Sequence, residues 1–464
     1  METSVLTQTA AAPWWKLLTR YHWFVLIVAA LGWLFDCLDQ QLFNLARRPA
    51  MLELLGASKP GDLDFYGGLA TAIFLIGWAT GGLTFGMLGD RIGRARTMMW
   101  TILIYSLCTG LSAFSVGFWD FAFYRFITGL GVGGEFAVGV ALVAEVMPDR
   151  ARPYAIGLLQ ALSAIGNVSA ALISMGLGRL EETGVIGSAA GWSAWRWMFV
   201  VGAFPALLAL VVRARLKEPE RWLALKAAGA AKGIRLGSYA ELFTHPRWKR
   251  HAIVGVLLAC SGVIGLWGIG FFSIDLTQSV LRKTFESQGL SGAELSGKLK
   301  LWAGLASMML NLGAFVGIYG FGLVSQRIGR RPTFAIAFIA AMLSTAMVFL
   351  FLRDFSDVFW MMPVMGVCQL SLFGGYAIYF PELFPTNLRS TGTSFCYNVG
   401  RFIAAAGPFT LGALTRHVFS DYSEPLRYAG LTMCSIFILG LLVLPFAPET
   451  KGQPLPEEDR GTSH

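Results

Sequence analysis

The chain has 464 residues, of which 55% are hydrophobic and only 14% charged, with a mean hydropathy of +0.58. Soluble proteins carry nearer ~25% charge, so this composition excludes an ordinary soluble domain and places the chain in a membrane. The formal net charge of +9 is scattered through short loops with no soluble basic domain, which argues for membrane topology and against a nucleic-acid partner.

Residues 1–21 hold a short apolar patch around Trp14 and Trp15 and nothing like a cleavable signal, so the first span is expected to act as its own insertion signal. A spanning helix needs about 20 mostly apolar residues. Stretches of that kind occur at approximately 23–44, 65–88, 97–116, 119–146, 154–177 and 195–215. A basic, polar segment follows, with short amphipathic helices expected around 220–227 and 239–243. Six more apolar stretches then run at approximately 252–280, 302–324, 333–352, 358–381, 390–415 and 427–446. The segments 45–64, 179–194 and 282–300 are expected as the long loops on the opposite side.

The two sets of six are related. Phe85-Gly86-Met87-Leu88-Gly89-Asp90-Arg91-Ile92-Gly93-Arg94 returns about 236 residues later as Phe321-Gly322-Leu323-Val324-Ser325-Gln326-Arg327-Ile328-Gly329-Arg330-Arg331, and Glu145, Pro148 and Arg152 return as Glu382, Pro385 and Arg389. The expected architecture is therefore an all-α membrane protein of 12 transmembrane helices, in two pseudo-symmetric six-helix bundles around a central cavity. Its parts are an N-terminal segment (1–21), a first bundle (22–216), a linker (217–250), a second bundle (251–446) and a tail (447–464). With termini and linker on one side, that side collects about 23 Lys and Arg against about 12 on the other, and the richer side should be cytoplasmic. Both glycine-rich turns then face the cytoplasm of an inner or plasma membrane.

Ionisable residues inside spans cost roughly 2.5 kcal/mol or more, so they face a cavity or a partner. The first span carries Asp36 and Asp39, three apart and so on one face. The fourth carries Arg125 at a depth similar to that of Asp39, and Glu135 near its middle. A proton switch would couple the aspartate charge, the position of Arg125 and the opening of the cavity; a structural ion pair is the alternative. Asp39 is the first choice for the proton carrier, then Asp36, then Glu135. Arg401 lies halfway along the eleventh span, with Tyr397 and Asn398 one turn before it. A guanidinium, a phenol and an amide make a carboxylate clamp, unless the arginine merely fastens the bundle. Gln160, Asn167, Trp267, Asn311, Gln369 and Tyr376 are further cavity candidates.

The glycine-rich turn resembles the signature between helices two and three of the major facilitator superfamily. The six-residue separation of Glu145 from Arg152 and of Glu382 from Arg389 resembles the sugar-porter branch, as do Leu216-Lys217-Glu218-Pro219-Glu220-Arg221-Trp222 and Pro448-Glu449-Thr450-Lys451-Gly452. The Asp-x-x-Asp of the first span looks more like the metabolite and aromatic-acid proton symporters. The resemblance implies two bundles that rock about a midplane site. It also implies a cytoplasmic gate of Asp90, Arg91, Arg94, Glu145, Arg152, Arg327, Arg330, Arg331, Glu382 and Arg389. Gln326 stands where Asp90 stands in the first half, so the second turn should be the weaker lock. In proton-coupled relatives an aspartate of helix one and an arginine 20 residues before the helix-four glutamate form the switch, the spacing of Arg125 to Glu145.

The hexose-binding amides of sugar porters are missing from 260–267, which with Arg401 favours a small organic anion over a sugar. No phosphate-cradling glycine loop and no histidine or cysteine cluster is present, so neither ATP nor a metal is expected. All six cysteines lie in apolar runs and read as small buried residues. The expected function is proton symport of a carboxylate by a monomer with alternating access, its partners being the solute, protons and the lipid bilayer. A neutral-solute or sugar carrier or exporter is the rival within transport. A non-transporting receptor is the rival outside it, and no constellation supports an enzyme.

Overall fold

A computed structural model describes residues 13–457 except 57–59, 183–184, 187–191, 233–235, 271, 291, 405–406, 408–409, 412–413 and 423. Parts of the N-terminal segment, the linker, the eleventh span and the tail therefore lie outside the described residues. Helices form nearly all of what is described, with no strand among the described residues.

The first half comprises α1 (Arg20–Leu54), α2 (Pro60–Ile92), α3 (Arg94–Ser112), α4 (Phe118–Val146), α5 (Arg152–Ala161), α6 (Ser163–Glu182), α7 (Ala194–Val201) and α8 (Ala206–Arg215). The linker contributes α9 (Glu220–Lys232) and α10 (Tyr239–Thr244). The second half comprises α11 (Pro246–Ile264), α12 (Phe272–Ser287), α13 (Gly292–Ile328), α14 (Arg330–Phe351), α15 (Phe355–Leu383), α16 (Arg389–Ala404), α17 (Pro425–Met433) and α18 (Ile436–Val443). Among the described residues nine helical segments are long and apolar enough to cross a membrane. The helix α3, the pair α7 and α8, and α16 stand at the places of the other three expected spans.

Two expected loops are largely helical. α1 runs to Leu54 and α13 starts at Gly292, about ten residues beyond the apolar runs that predicted them. Hydropathy measures only the lipid-contacting part of a helix, and polar turns continue it into water at little cost. The seventh span is also not one α-helix: after Ile264 it widens into a π segment, Gly265–Gly270, before α12.

Close packing in lipid needs small residues, because apolar side chains gain nothing from leaving apolar lipid. A methyl added to Gly77 or Gly81 of α2 would strike the α4 backbone at Phe126 or Leu130. In the second half, Gly313 and Gly317 of α13 meet the α15 backbone at Pro363 and Val367 in the same way. The duplicated sequence thus folds into duplicated helix pairs. Large aliphatic and aromatic residues such as Val116, Trp119 and Leu442 point outward, 66–88% exposed, which in this setting is the lipid-facing surface.

Candidate transport site and gate

The glycine-rich turns are built by one device used twice. Gly93 and Gly329 have φ of 116° and 102°, a region that disfavours any residue with a Cβ. Each turn lets the next helix start immediately, and each helix start is capped from a distance. Glu218 accepts from the backbone N–H groups of Ala95 and Arg96 at 3.2 and 3.1 Å; Glu449 accepts from those of Arg330 and Arg331 at 2.9 and 3.0 Å. Burial pushes the Glu449 carboxyl up, but the N–H groups of Arg330, Lys451 and Arg331 and the Arg330 charge hold it below the ordinary glutamate value. A Cβ at Gly93 or Gly329 would also land on the capping carboxylate, so glycine is required twice over.

The first arginine of each following helix reaches back across its turn. Arg94 donates to the Gly89 carbonyl and to Glu145, at 3.0 and 2.9 Å, and lies 2.9 Å from Asp90. Arg330 donates to the Ser325 carbonyl at 3.0 Å and to both Glu382 oxygens at 2.9 and 3.1 Å. These pairs sit within one half. Further links cross between halves. Asp90 accepts from the backbone N–H groups of Ser390 and Thr391 and from the Thr391 hydroxyl, at 3.2, 2.8 and 2.7 Å, at the N-terminus of α16. Glu145 accepts from Arg389 at 2.8 Å, and Arg94 donates to the Thr386 carbonyl at 2.6 Å. Gly82, Gly86 and Gly89 of α2 let Asn398, Ser394 and Ser390 of α16 approach, and the Ser394 hydroxyl donates to the Gly82 carbonyl. This end of the protein is shut.

The remaining expected gate residues are less central. Arg91 donates to the Leu236 and Gly237 carbonyls of the linker at 3.3 and 3.2 Å. Arg152 donates to the Ala144 carbonyl at 2.8 Å and pairs with Asp149, with the Glu382 charge nearby. Glu382, already held by Arg330, also receives Thr450 of the tail at 2.6 Å. Arg327 and Arg331 are exposed, and Gln326 makes no link of the Asp90 kind among the described residues.

Deeper in the first half, two acid sites stand one turn apart. Arg125, fully buried, lies 3.6 Å from Asp39 and donates to Ser112 at 2.8 and 3.1 Å and to Thr128 at 3.1 Å. Asp39 accepts from Thr109 at 2.6 Å, and the rings of Phe43, Phe121 and Phe199 surround the guanidinium at 4.7–6.0 Å. Beside this pair, the carboxyl groups of Asp36 and Glu135 lie within hydrogen-bonding reach of each other, with Tyr105 facing Asp36. Both acids are 1% exposed, and none of their four oxygens meets a donor among the described residues. Gly32 makes the room: a methyl there would collide with the Glu135 carboxyl.

Arg401 of α16 lies at the boundary between halves. Its guanidinium stacks over Trp78 of α2 at 4.4 Å and over Tyr397 at 5.0 Å, and it donates to Asn398 at 3.0 Å. No carboxylate among the described residues pairs with it. Tyr397 meets Phe136 at 4.8 Å, and Phe136 meets Trp33 at 4.4 Å, so a row of rings links the two halves. The indole N–H groups of Trp33 and Trp78, both buried, have no acceptor among the described residues.

The other cavity candidates divide. Asn167 donates to Asn311 at 3.0 Å, a link between halves through α6 and α13. The Gln160 side-chain oxygen is buried without a donor. Gln369 and Tyr376 are fully buried and bond main-chain carbonyls of their own half, Gly265 and Leu258, at 2.9 and 2.7 Å. Trp267 lies in the π segment, half-buried. Sequence reasoning missed Thr109, Ser112, Tyr105, Trp78 and Thr391, which are unremarkable until folding brings them to a charge. Glu218 and Glu449 stand in the two stretches that resemble the sugar-porter branch, but their capping role was not among the expectations.

The sequence profile of the Major Facilitator Superfamily matches residues 29–408. The chain is 27% identical to the sialic acid transporter NanX of Escherichia coli (strain K12), over 93% of this chain and 96% of that protein. It is 26% identical to the cis,cis-muconate transport protein of Acinetobacter baylyi, over 83% of this chain and 86% of that protein. Its fold matches the proton:xylose symporter XylE of E. coli, solved with 6-bromo-6-deoxy-D-glucose, with a TM-score of 0.74 at 17% identity over 94% of this chain and 98% of that one. With its duplicated turns, its apolar helices and these relatives in accord, the chain belongs to the Major Facilitator Superfamily and is an integral membrane solute transporter, not an enzyme.

Proposed function

We propose that this transporter carries a small organic carboxylate across the inner or plasma membrane together with protons, as a monomer with both termini in the cytoplasm. The observation that carries the reading is Arg401, an intramembrane cation between the halves with no carboxylate partner among the described residues. An unpaired cation in a low dielectric is expensive, and a carboxylate cargo would complete it with two parallel hydrogen bonds. The vacant indole donors of Trp33 and Trp78 and the row of rings suit a flat acid. Two relatives named for acids, sialic acid and cis,cis-muconate, support the same class. Asn398 and Tyr397 would position the guanidinium.

Arg125 is held by Asp39 and so belongs to coupling rather than to cargo. Protonating Asp39 would cancel its charge and leave Arg125 with hydroxyl and ring partners alone, which changes what the α1, α3 and α4 contacts are worth. Asp36 and Glu135 are two acceptors in reach of one another, and they can bond only through a proton carried by one of them. Asp39 is the proposed carrier, with the Asp36 and Glu135 pair beside it. The charged end would be the cytoplasmic gate, shut in this structure. Binding of cargo and proton would lower the cost of breaking its cross-links and let the halves rock.

The test is uptake into proteoliposomes with an imposed pH gradient, acid outside. Accumulation of a monocarboxylate or dicarboxylate that collapses with the gradient supports the reading. Uptake of every acid tested that ignores the gradient refutes symport, and competition by neutral sugars instead of acids selects the sugar-carrier alternative.

A further inference from the structure

Two hollows at the gate end of the second half adjoin each other and differ in character. The outer one, about 540 Å³, lies between the start of α11 and the turn after α18, and its walls carry Arg247, Arg250 and Arg331. The inner one, about 510 Å³, runs down the lipid-facing side of the same two helices past Ile253 and Leu257. Arg250 and Phe446 border both. Arg247 and Arg250 are three apart and Ile253 and Leu257 four apart, so one helix face passes from cationic to apolar as it enters the bilayer.

The cations converge. Arg250 donates to the Phe446 carbonyl at 3.4 Å and Arg331 to the Pro445 carbonyl at 3.5 Å, so both guanidiniums are drawn to one turn by long, weak bonds. Neither is in an ion pair among the described residues, and Glu449, which lines a neighbouring hollow with Arg331, is already occupied by backbone N–H groups. Two like charges aimed at one place repel unless an anion lies between them. Guanidiniums suit phosphate in particular, through paired N–H donors.

We propose that these adjoining hollows are a binding site for an anionic phospholipid: the phosphate of its headgroup between Arg250 and Arg331, with Arg247 at the rim, and one acyl chain along Ile253, Leu257 and Phe446. A membrane helix meets lipid everywhere; what is distinct here is a headgroup pocket joined to the chain groove, which selects by charge and by tail together. The lipid would bridge α11, α14 and the end of α18, stiffening the second half where its tail meets Glu382.

The test uses the full chain, purified in detergent and exchanged into nanodiscs of phosphatidylcholine with a minor share of phosphatidylglycerol, then washed and analysed for retained lipid by mass spectrometry. Wild type should retain phosphatidylglycerol over phosphatidylcholine by about tenfold or more, as expected where two or more basic side chains meet one headgroup. Arg250→Gln should remove most of that preference while the protein stays monodisperse, and Arg250→Lys should restore part of it. Ile253→Trp, which fills the chain groove, should lower retention of both lipids. Equal retention of the two lipids by wild type, or unchanged preference in Arg250→Gln, overturns the proposal. Complete displacement of the lipid by free inorganic phosphate also overturns it, since that shows an anion site indifferent to the acyl chain.

Discussion

Replacing Asp90 with Asn isolates the cross-link that the structure makes at the closed end. The pairs of Arg94 with Asp90 and Glu145 lie within the first half and persist when the halves part, so they cancel in the open-closed difference. What opening breaks at Asp90 is its three bonds from Ser390 and Thr391 at the start of α16. Bonds to a charged acceptor contribute about 1.5–3 kcal/mol net, against about 0.5–1.5 for neutral ones. Asn keeps one acceptor oxygen and loses the charge, so the two bonds from Thr391 weaken by about 1 kcal/mol each and the Ser390 N–H loses its acceptor, about 1 more. The closed state should be destabilised by about 3 kcal/mol, which is roughly a hundredfold in the open-to-closed ratio. The assay is distance distribution by spin labels at exposed positions on the gate-end loops of the two halves, in nanodiscs. Asp90→Asn should shift population to longer gate-end distances, while Gln326→Ala, at the matching position of the second half, should shift it little. Equal shifts from the two variants, or none from Asp90→Asn, would refute the reasoning that the cross-half bonds of one turn dominate closure.

Arg401→Lys should raise the apparent Kd for a carboxylate by about tenfold or more, because a point charge cannot reproduce two parallel bonds, with little change in melting temperature; an unchanged affinity sinks the clamp. Asp39→Asn should abolish gradient-driven accumulation but keep exchange of cargo across equal pH, read by counterflow in proteoliposomes. Glu53, outside the spans, accepts from Ser193, Trp195 and Arg196 at 2.5, 2.6 and 2.9 Å. Burial pushes its carboxyl up, but those three bonds and the Arg196 charge win and hold it below the ordinary glutamate value. Its folded value being the lower one, the brace is present above the ordinary glutamate range near 4.3 and is lost as pH falls further, so the melting difference between wild type and Glu53→Gln, about 1 kcal/mol, should vanish in acid. Gly93→Ala should destabilise the first half by about 1–2 kcal/mol, seen as a lower melting temperature, since it forces a Cβ into a positive φ and onto Glu218.

The membrane class, the duplication and the charged character of the two glycine-rich turns were legible in the sequence alone. Hydropathy and the period between Arg91 and Arg327 depend on local composition and order, and lipid forces backbone groups into helices wherever the chain is apolar. The asymmetry of Asp90 and Gln326 was also legible, because a missing carboxylate is visible in one dimension. Tertiary structure decided who meets whom. Asp36, Asp39, Glu135 and Arg125 could be ranked only by depth in separate spans; packing of α1 against α4, at Gly32, joined Asp36 to Glu135 and left Asp39 for Arg125. Likewise Arg152 meets Asp149, and Glu382 meets Arg330 and Thr450, partners that spacing along the chain did not name. The reason is that helix rotation about its axis is set by side-chain packing between neighbours, while spacing along the chain fixes only which residues share a face. The same reason hid Trp78, whose ring is a platform for Arg401 of the other half.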